Sequence, residues 1–88
     1  MFDNLVEQVN SLNNKAVRAY ENGHYQQGIQ FAQQACELGK LAFGPNNHNY
    51  ANLLNSLAVL YYAMGRFTDA EPLFRQAMEI RRVQLGEN

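Results

Sequence analysis

The sequence offers little that would link it to chemistry. Its 88 residues include one cysteine, Cys36. No disulfide can form within the chain, and a reducing compartment, the cytoplasm, is expected. Seven Lys and Arg stand against eight Asp and Glu, for a formal net charge of -1. Apart from Arg81-Arg82 the basic residues are scattered, which disfavours nucleic acid and anionic membrane surfaces as partners, since both are held by clustered cations. The opening MFDNLVEQ lacks the basic and apolar regions of a signal peptide, and no stretch approaches the roughly 20 apolar residues of a membrane span. Strand-type alternation and low complexity are also missing. No glycine-rich phosphate loop or Ser/His/Asp grouping occurs. Glu7, Glu21, Glu37, Asp69, Glu71, Glu79 and Glu87 are spread along the chain, and catalysis would need paired acids or a nucleophile beside a base. His24 and His48 fall in a turn and a linker, where solvated or capping roles are expected. A zinc site needs several ligands, and Cys36 has none nearby in sequence. The reading is a non-enzymatic protein without metal or cofactor, a single domain over residues 1–88 with modest stability.

What the sequence does contain is a repeat. Leu12, Asn13, Ala16, Val17, Tyr20, Gly23, Ala35, Glu37 and Gly44 recur as Leu54, Asn55, Ala58, Val59, Tyr62, Gly65, Ala77, Glu79 and Gly86, each 42 residues later and without a gap. Self-similarity of this period marks a helical-repeat array. Repeat 1 covers about 5–46 and repeat 2 about 47–88.

Helical periodicity and stop signals predict four helices, near residues 4–22, 25–43, 48–64 and 68–85. Phe2, Leu5, Val6, Val9, Leu12 and Ala16 make the apolar stripe of the first, and Asn4 with Glu7 resembles a capping box. The second presents Tyr25, Ile29, Phe31, Ala32, Ala35, Cys36, Leu38 and Leu41–Phe43. It contains Gly28 and Gly39, each unfavourable in a helix by roughly 1 kcal/mol relative to Ala, and Gly28 suggests a close approach of helices. Cys36 aligns with Met78, an apolar position, so a buried thiol is expected. Gly44-Pro45 ends this helix. Asn46–Asn49 offers caps for the third, which is expected to bury Ala51, Leu54, Leu57, Ala58, Tyr61 and Met64. Thr68 with Glu71 reads as a second capping box, and Pro72 as a residue in or just after the first turn of the fourth helix. That helix draws its apolar side from Phe67, Ala70, Leu73, Phe74, Ala77, Met78, Ile80 and Leu85.

Leu54, Leu57-Ala58, Tyr61, Gly65, Phe67, Ala70, Phe74 and Ala77 have the spacing of the tetratricopeptide repeat, with Leu54 in place of the frequent Trp. The 42-residue period, and a second helix that runs on to Gly-Pro, resemble the longer repeat of the kinesin light chains and their relatives. Repeat 1 is looser. Lys15 stands where Leu is usual, Ala19 where Tyr is, Gly28 where Ala is and Ala32 where an aromatic is. The resemblance implies an all-α fold: two helix-turn-helix hairpins, four antiparallel helices, in a short right-handed α-solenoid. It implies protein–protein interaction, with a peptide or partner helix on the concave face.

By the resemblance, the stripe at i, i+3, i+7 and i+10 of each first helix lines that face. It holds Asn10, Asn13, Val17 and Tyr20 in repeat 1 and the identical Asn52, Asn55, Val59 and Tyr62 in repeat 2. Asn can donate to and accept from a partner's main chain, and Tyr adds a rigid apolar surface with a polar tip. Val and Tyr would equally suit packing of neighbouring first helices. Neither stripe carries Lys or Arg, which argues against a clamp for a C-terminal carboxylate. Stacked arrays generally need about three units, and Gly86-Glu87-Asn88 aligns with Gly44-Pro45-Asn46. The fourth helix is therefore expected to leave part of Leu73, Met78, Ile80 or Leu85 uncovered, favouring association. The second reading of function is accordingly self-association, as a homo-oligomer or by hairpin exchange, or as part of a longer array.

Overall fold

Periodic apolar stripes separated by glycine stops give four helices and no strand among the described residues. The computed structural model describes residues 2–86, with α1 over Phe2–Glu21, α2 over Tyr25–Phe43, α3 over His48–Ala63 and α4 over Phe67–Gln84. The Phe2 side chain, Glu87 and Asn88, all used in the sequence reading, lie outside the described residues. The helices pack as two antiparallel hairpins. Each helix lies against the next, and α1 also meets α3 along a shorter seam. The result is a slab of 36 × 33 × 16 Å. No helix among the described residues is long and apolar enough to cross a membrane.

The two hairpin turns are built alike. Gly23 and Gly65 both sit at φ +77°, in the left-handed region that costs glycine nothing. The following residue closes each turn: His24 N–H donates to the Ala19 carbonyl and Arg66 N–H to the Tyr61 carbonyl, both at 2.8 Å. This Schellman arrangement satisfies carbonyls that the helix end leaves free. Asn47 caps α3, its side chain accepting from Asn49 N–H at 2.7 Å.

The two expected capping boxes do not form. No Gly or Pro interrupts Phe2–Asn4, so α1 begins before Asn4, which lies inside the helix. At α4 the Schellman turn delivers Arg66 directly to the cap position, two residues too early for Thr68. The Arg66 carbonyl accepts from Asp69 and Ala70 N–H, and Arg66 Nε bonds Asp69 Oδ2 at 2.9 Å. Pro72 consequently lies in the second turn, where it removes the N–H that would bond the Thr68 carbonyl. Thr68 and Pro72 are both exposed, so water can take that place.

Between the hairpins, α2 meets α3 over two glycines three turns apart. A Cβ on Gly28 would lie 2.7 Å from Leu60 Cδ2, 3.3 Å from Ala19 Cβ and 3.4 Å from the Ala16 carbonyl oxygen. A Cβ on Gly39 would strike Leu53 Cδ1. Leu53 and Leu60, seven residues apart on one face of α3, thus seat in notches that only glycine leaves open. Around this ridge the core gathers Val9, Ala16, Ile29, Ala32, Ala35, Cys36, Leu54, Leu57, Ala58 and Tyr61. Within the second hairpin, Ala58, Ala70 and Ala77 are fully buried and let α3 and α4 approach.

Several apolar residues expected inside are exposed instead: Leu41, Met64 and Phe67. Leu41 turns away from both α1 and α3, because only one side of the run Leu41–Phe43 can face inward. Met64 falls at the turn, and Phe67 lies on the outer side of α4. Ile80, expected to be partly uncovered, is buried; Leu73 is half-buried, while Met78 and Leu85 are exposed. Ile80 faces its own hairpin, so it needs no further repeat to cover it.

The glycine notches predict a specific coupling. Gly39→Ala gains about 1 kcal/mol of helix propensity but overpacks against Leu53, at a cost of about 1–3 kcal/mol. Thermal unfolding should show a lowered Tm in the native background. In a Leu53→Val background, which removes the clashing methyl, the same change should be neutral or stabilising. Additive effects in that double-mutant cycle would contradict the seating of Leu53 on Gly39.

Candidate functional site

The stripe positions identical in the two repeats occupy the side of the slab where α1 and α3 run together, but their environments differ. Between the two helices lies a shallow cleft of about 130 Å³, lined by Ala16, Val17, Tyr20, Asn55, Ser56, Val59 and Leu60. The structure thus brings Val17 and Tyr20 of repeat 1 to Asn55 and Val59 of repeat 2. Tyr20 is 42% exposed, and Tyr62, which has no such neighbour, is 60% exposed. Asn10 and Asn52 are exposed near the other end of the stripe.

Two of the four asparagines are not simply open to a partner. The Asn13 Oδ1 atom is fully buried and has no hydrogen-bond partner. It lies on the side of α1 that turns towards α3. Asn55, its counterpart, lies on the cleft wall. Asn52 Oδ1 accepts a hydrogen bond from Arg81 Nη2 at 2.7 Å. Neither stripe contains a cation in sequence, yet α4 swings one in beside Asn52. Repeat 1 has no equivalent, because Gly39 stands where Arg81 does.

A second, larger groove of about 410 Å³ opens on the outer side of the α3–α4 hairpin, lined by Tyr62, Phe67, Thr68, Ala70, Glu71 and Phe74. The Tyr62 and Phe67 rings meet edge to face at 4.9 Å between centroids. In repeat 1 the matching rings, Tyr20 and Tyr25, are 5.7 Å apart. Sequence reasoning assigned Phe67 to the apolar side of the fourth helix and Glu71 to a capping box, and gave neither Glu71 nor Arg81 a part in a binding surface. The signal for Phe67 was its alignment with Tyr25, a residue covered only because another hairpin follows it. Nothing in the sequence pointed to the Arg81–Asn52 contact.

Glu7, Glu21, Glu37, Asp69, Glu71 and Glu79 are on the surface, as their spread along the chain implied. Glu79 pairs with Arg82, whose hydrogen bonds and charge hold the Glu79 carboxyl below its ordinary range. Glu71 lies 3.6 Å from Arg75. Such exposed pairs contribute little to stability. Among the described residues no three His, Cys, Asp or Glu side chains gather as a metal site.

Cys36 is 8% exposed. Burial, with a smaller contribution from Glu37, pushes its thiol from an ordinary value near 9 up to about 12. The Tyr50 phenol is also raised, by burial first and then by Cys36, against a hydrogen bond with Gln76 that lowers it. Tyr50 therefore bridges α2 and α4 from the start of α3.

Residues 7–82 match the family model described as tetratricopeptide repeat. No curated protein matches the chain.

The raised Cys36 value gives a prediction with a definite sign. The thiolate is disfavoured in the folded state, so folding should weaken as pH rises above about 9, where the unfolded thiol ionises, and continue to weaken towards about 12. At neutral pH the native protein should resist alkylation by iodoacetamide and react fully in denaturant. Rapid labelling of the folded chain would contradict the burial.

Proposed function

The chain belongs to the tetratricopeptide-repeat family, and on that premise we propose that it is a protein-interaction module that binds an extended peptide or a partner helix on the side formed by α1 and α3. Repeats of this family generally mediate protein–protein interaction. The observation that carries the reading is the cleft itself. It is framed by Val17, Tyr20, Asn55 and Val59, all drawn from stripe positions that repeat unchanged between hairpins although no glycine stop or alanine contact compels them to. Apolar walls with one amide on the rim suit a main chain carrying an apolar side chain. Asn55 supplies the donor and acceptor, while Val17, Tyr20, Val59 and Tyr62 supply apolar contact. Asn10 extends the surface. Asn13 acts as scaffold, since its oxygen is sealed, and Asn52 holds Arg81, which adds one cation at the end of the groove.

Within the family we assign the chain to the long-repeat variety similar to kinesin light chains. Support comes from the gap-free 42-residue offset and from second helices of 19 and 18 residues. We read the module as non-catalytic and cytoplasmic; the buried, unpaired thiol of Cys36 is consistent with a reducing compartment.

The test uses a partner isolated on the intact chain from its native extract. Asn55→Ala and Tyr62→Ala should each weaken its binding by about 1–2 kcal/mol, roughly a factor of ten. Asn13→Ala should leave binding unchanged. Raising the salt concentration should weaken binding only modestly, as suits a single cation. If Asn55→Ala and Tyr62→Ala both bind as well as the parent while remaining helical, the stripe is packing alone and this reading is wrong.

A further inference from the structure

The outer faces of α1 and α4 differ in chemistry. In repeat 2, Tyr50, Leu53, Leu57 and Leu60 of α3 are buried against α2. Their counterparts on α1 are Gln8, Ser11, Lys15 and Arg18, all exposed. That face is finished for water. On α2, the residues Tyr25, Ile29, Ala32, Cys36 and Phe43 are buried or half-buried where α3 lies over them. Their counterparts on α4 are Phe67, Glu71, Phe74, Met78 and Leu85. Phe67 is 56%, Met78 65% and Leu85 75% exposed. A head-to-tail contact would set the polar α1 face on this apolar one, a poor match.

The α4 face is, however, complementary to itself. Read along the helix, Phe67, Glu71, Phe74, Met78, Arg81 and Leu85 run apolar, acidic, apolar, apolar, basic, apolar. Turned end for end about a two-fold axis near residue 76, Phe67 meets Leu85, Phe74 meets Met78, and Glu71 meets Arg81. The charges are poised for this. Arg81 is half-buried and its Nη2 is fixed on Asn52 at 2.7 Å, while a guanidinium has further N–H groups to give a carboxylate. Glu71 has only a 3.6 Å contact with Arg75, and both side chains are more than 70% exposed. We propose that a second copy of this chain docks on the outer face of α4, the two α4 helices lying antiparallel across a two-fold axis, with an apolar centre of Phe74 and Met78 and reciprocal Glu71–Arg81 ion pairs. An isologous pair of this kind closes on itself.

The experiment is sedimentation equilibrium of the intact chain from about 10 μM to about 1 mM, the range in which a small interface reports. The native chain should show a monomer–dimer equilibrium with no larger species. Met78→Glu should raise the dissociation constant at least about tenfold by burying two unmatched charges. Lys15→Glu, on the α1 face, should leave it unchanged. Glu71→Arg and Arg81→Glu should each be monomeric alone, because each sets like charges in both pairings. Mixed in equal amounts they should form a heterodimer, because both pairings are then matched. Circular dichroism confirms that each variant keeps its helix content, and association in the mixture is itself evidence of folding. A native chain monomeric throughout the range, species larger than a dimer, a dimer indifferent to Met78→Glu, or a mixture that fails to associate would each overturn the proposal.

Discussion

Everything in this small protein depends on how closely α2 and α3 approach. Two antiparallel hairpins, each held by buried alanines, would be separate and marginal units. They become one body because Leu53 and Leu60 of α3 seat over Gly39 and Gly28 of α2. Glycine within a helix costs stability on its own. Here it removes the atoms that would hold the hairpins apart, so that Leu53, Leu57 and Leu60 leave water together. A close-packed interior gives little when an atom is added, so the two glycines have to share one face of α2 and the two leucines one face of α3. They do: eleven residues on α2 and seven on α3 each return to the same face after about three and two turns of helix.

The same junction makes the two repeats unequal. Residues that correspond in sequence sit on opposite sides of a boundary. Cys36 is sealed against α3, and its thiol is raised by that burial, while Met78 meets water. Tyr20 borders the neighbouring hairpin and Tyr62 does not. Asn13 loses its oxygen to the interior, whereas Asn55 keeps a place on the cleft wall. A repeat copies side chains, but burial is assigned by what lies next to them.

Much of this was legible in the sequence. The glycine stops at Gly23 and Gly65 fix the hairpin turns, because the left-handed conformation there is local and needs no partner. α2 falls at its predicted limits, and α3 and α4 within a residue of theirs, since apolar period, glycine and proline all act within a turn or two of the chain. The buried set of Ala51, Leu54, Leu57, Ala58 and Tyr61 follows from the same period. The capping boxes failed for the complementary reason. Asn4-x-x-Glu7 and Thr68-x-x-Glu71 have the right spacing, but a continuous helix-permissive run before the first and a Schellman turn before the second moved the true starts upstream.

The sequence by itself therefore determined the helices, their turns, the repeat and the family, all properties set by residues near one another along the chain. Tertiary structure alone decided which copy of each repeated residue is covered and which is presented. That choice exposed Phe67, Met78 and Leu85 and buried Ile80. It carried Arg81 across to Asn52 and opened the cleft at Val17, Tyr20, Asn55 and Val59. Local signals say which way a side chain points on its own helix; only the position of the neighbouring helix says whether anything is there to meet it.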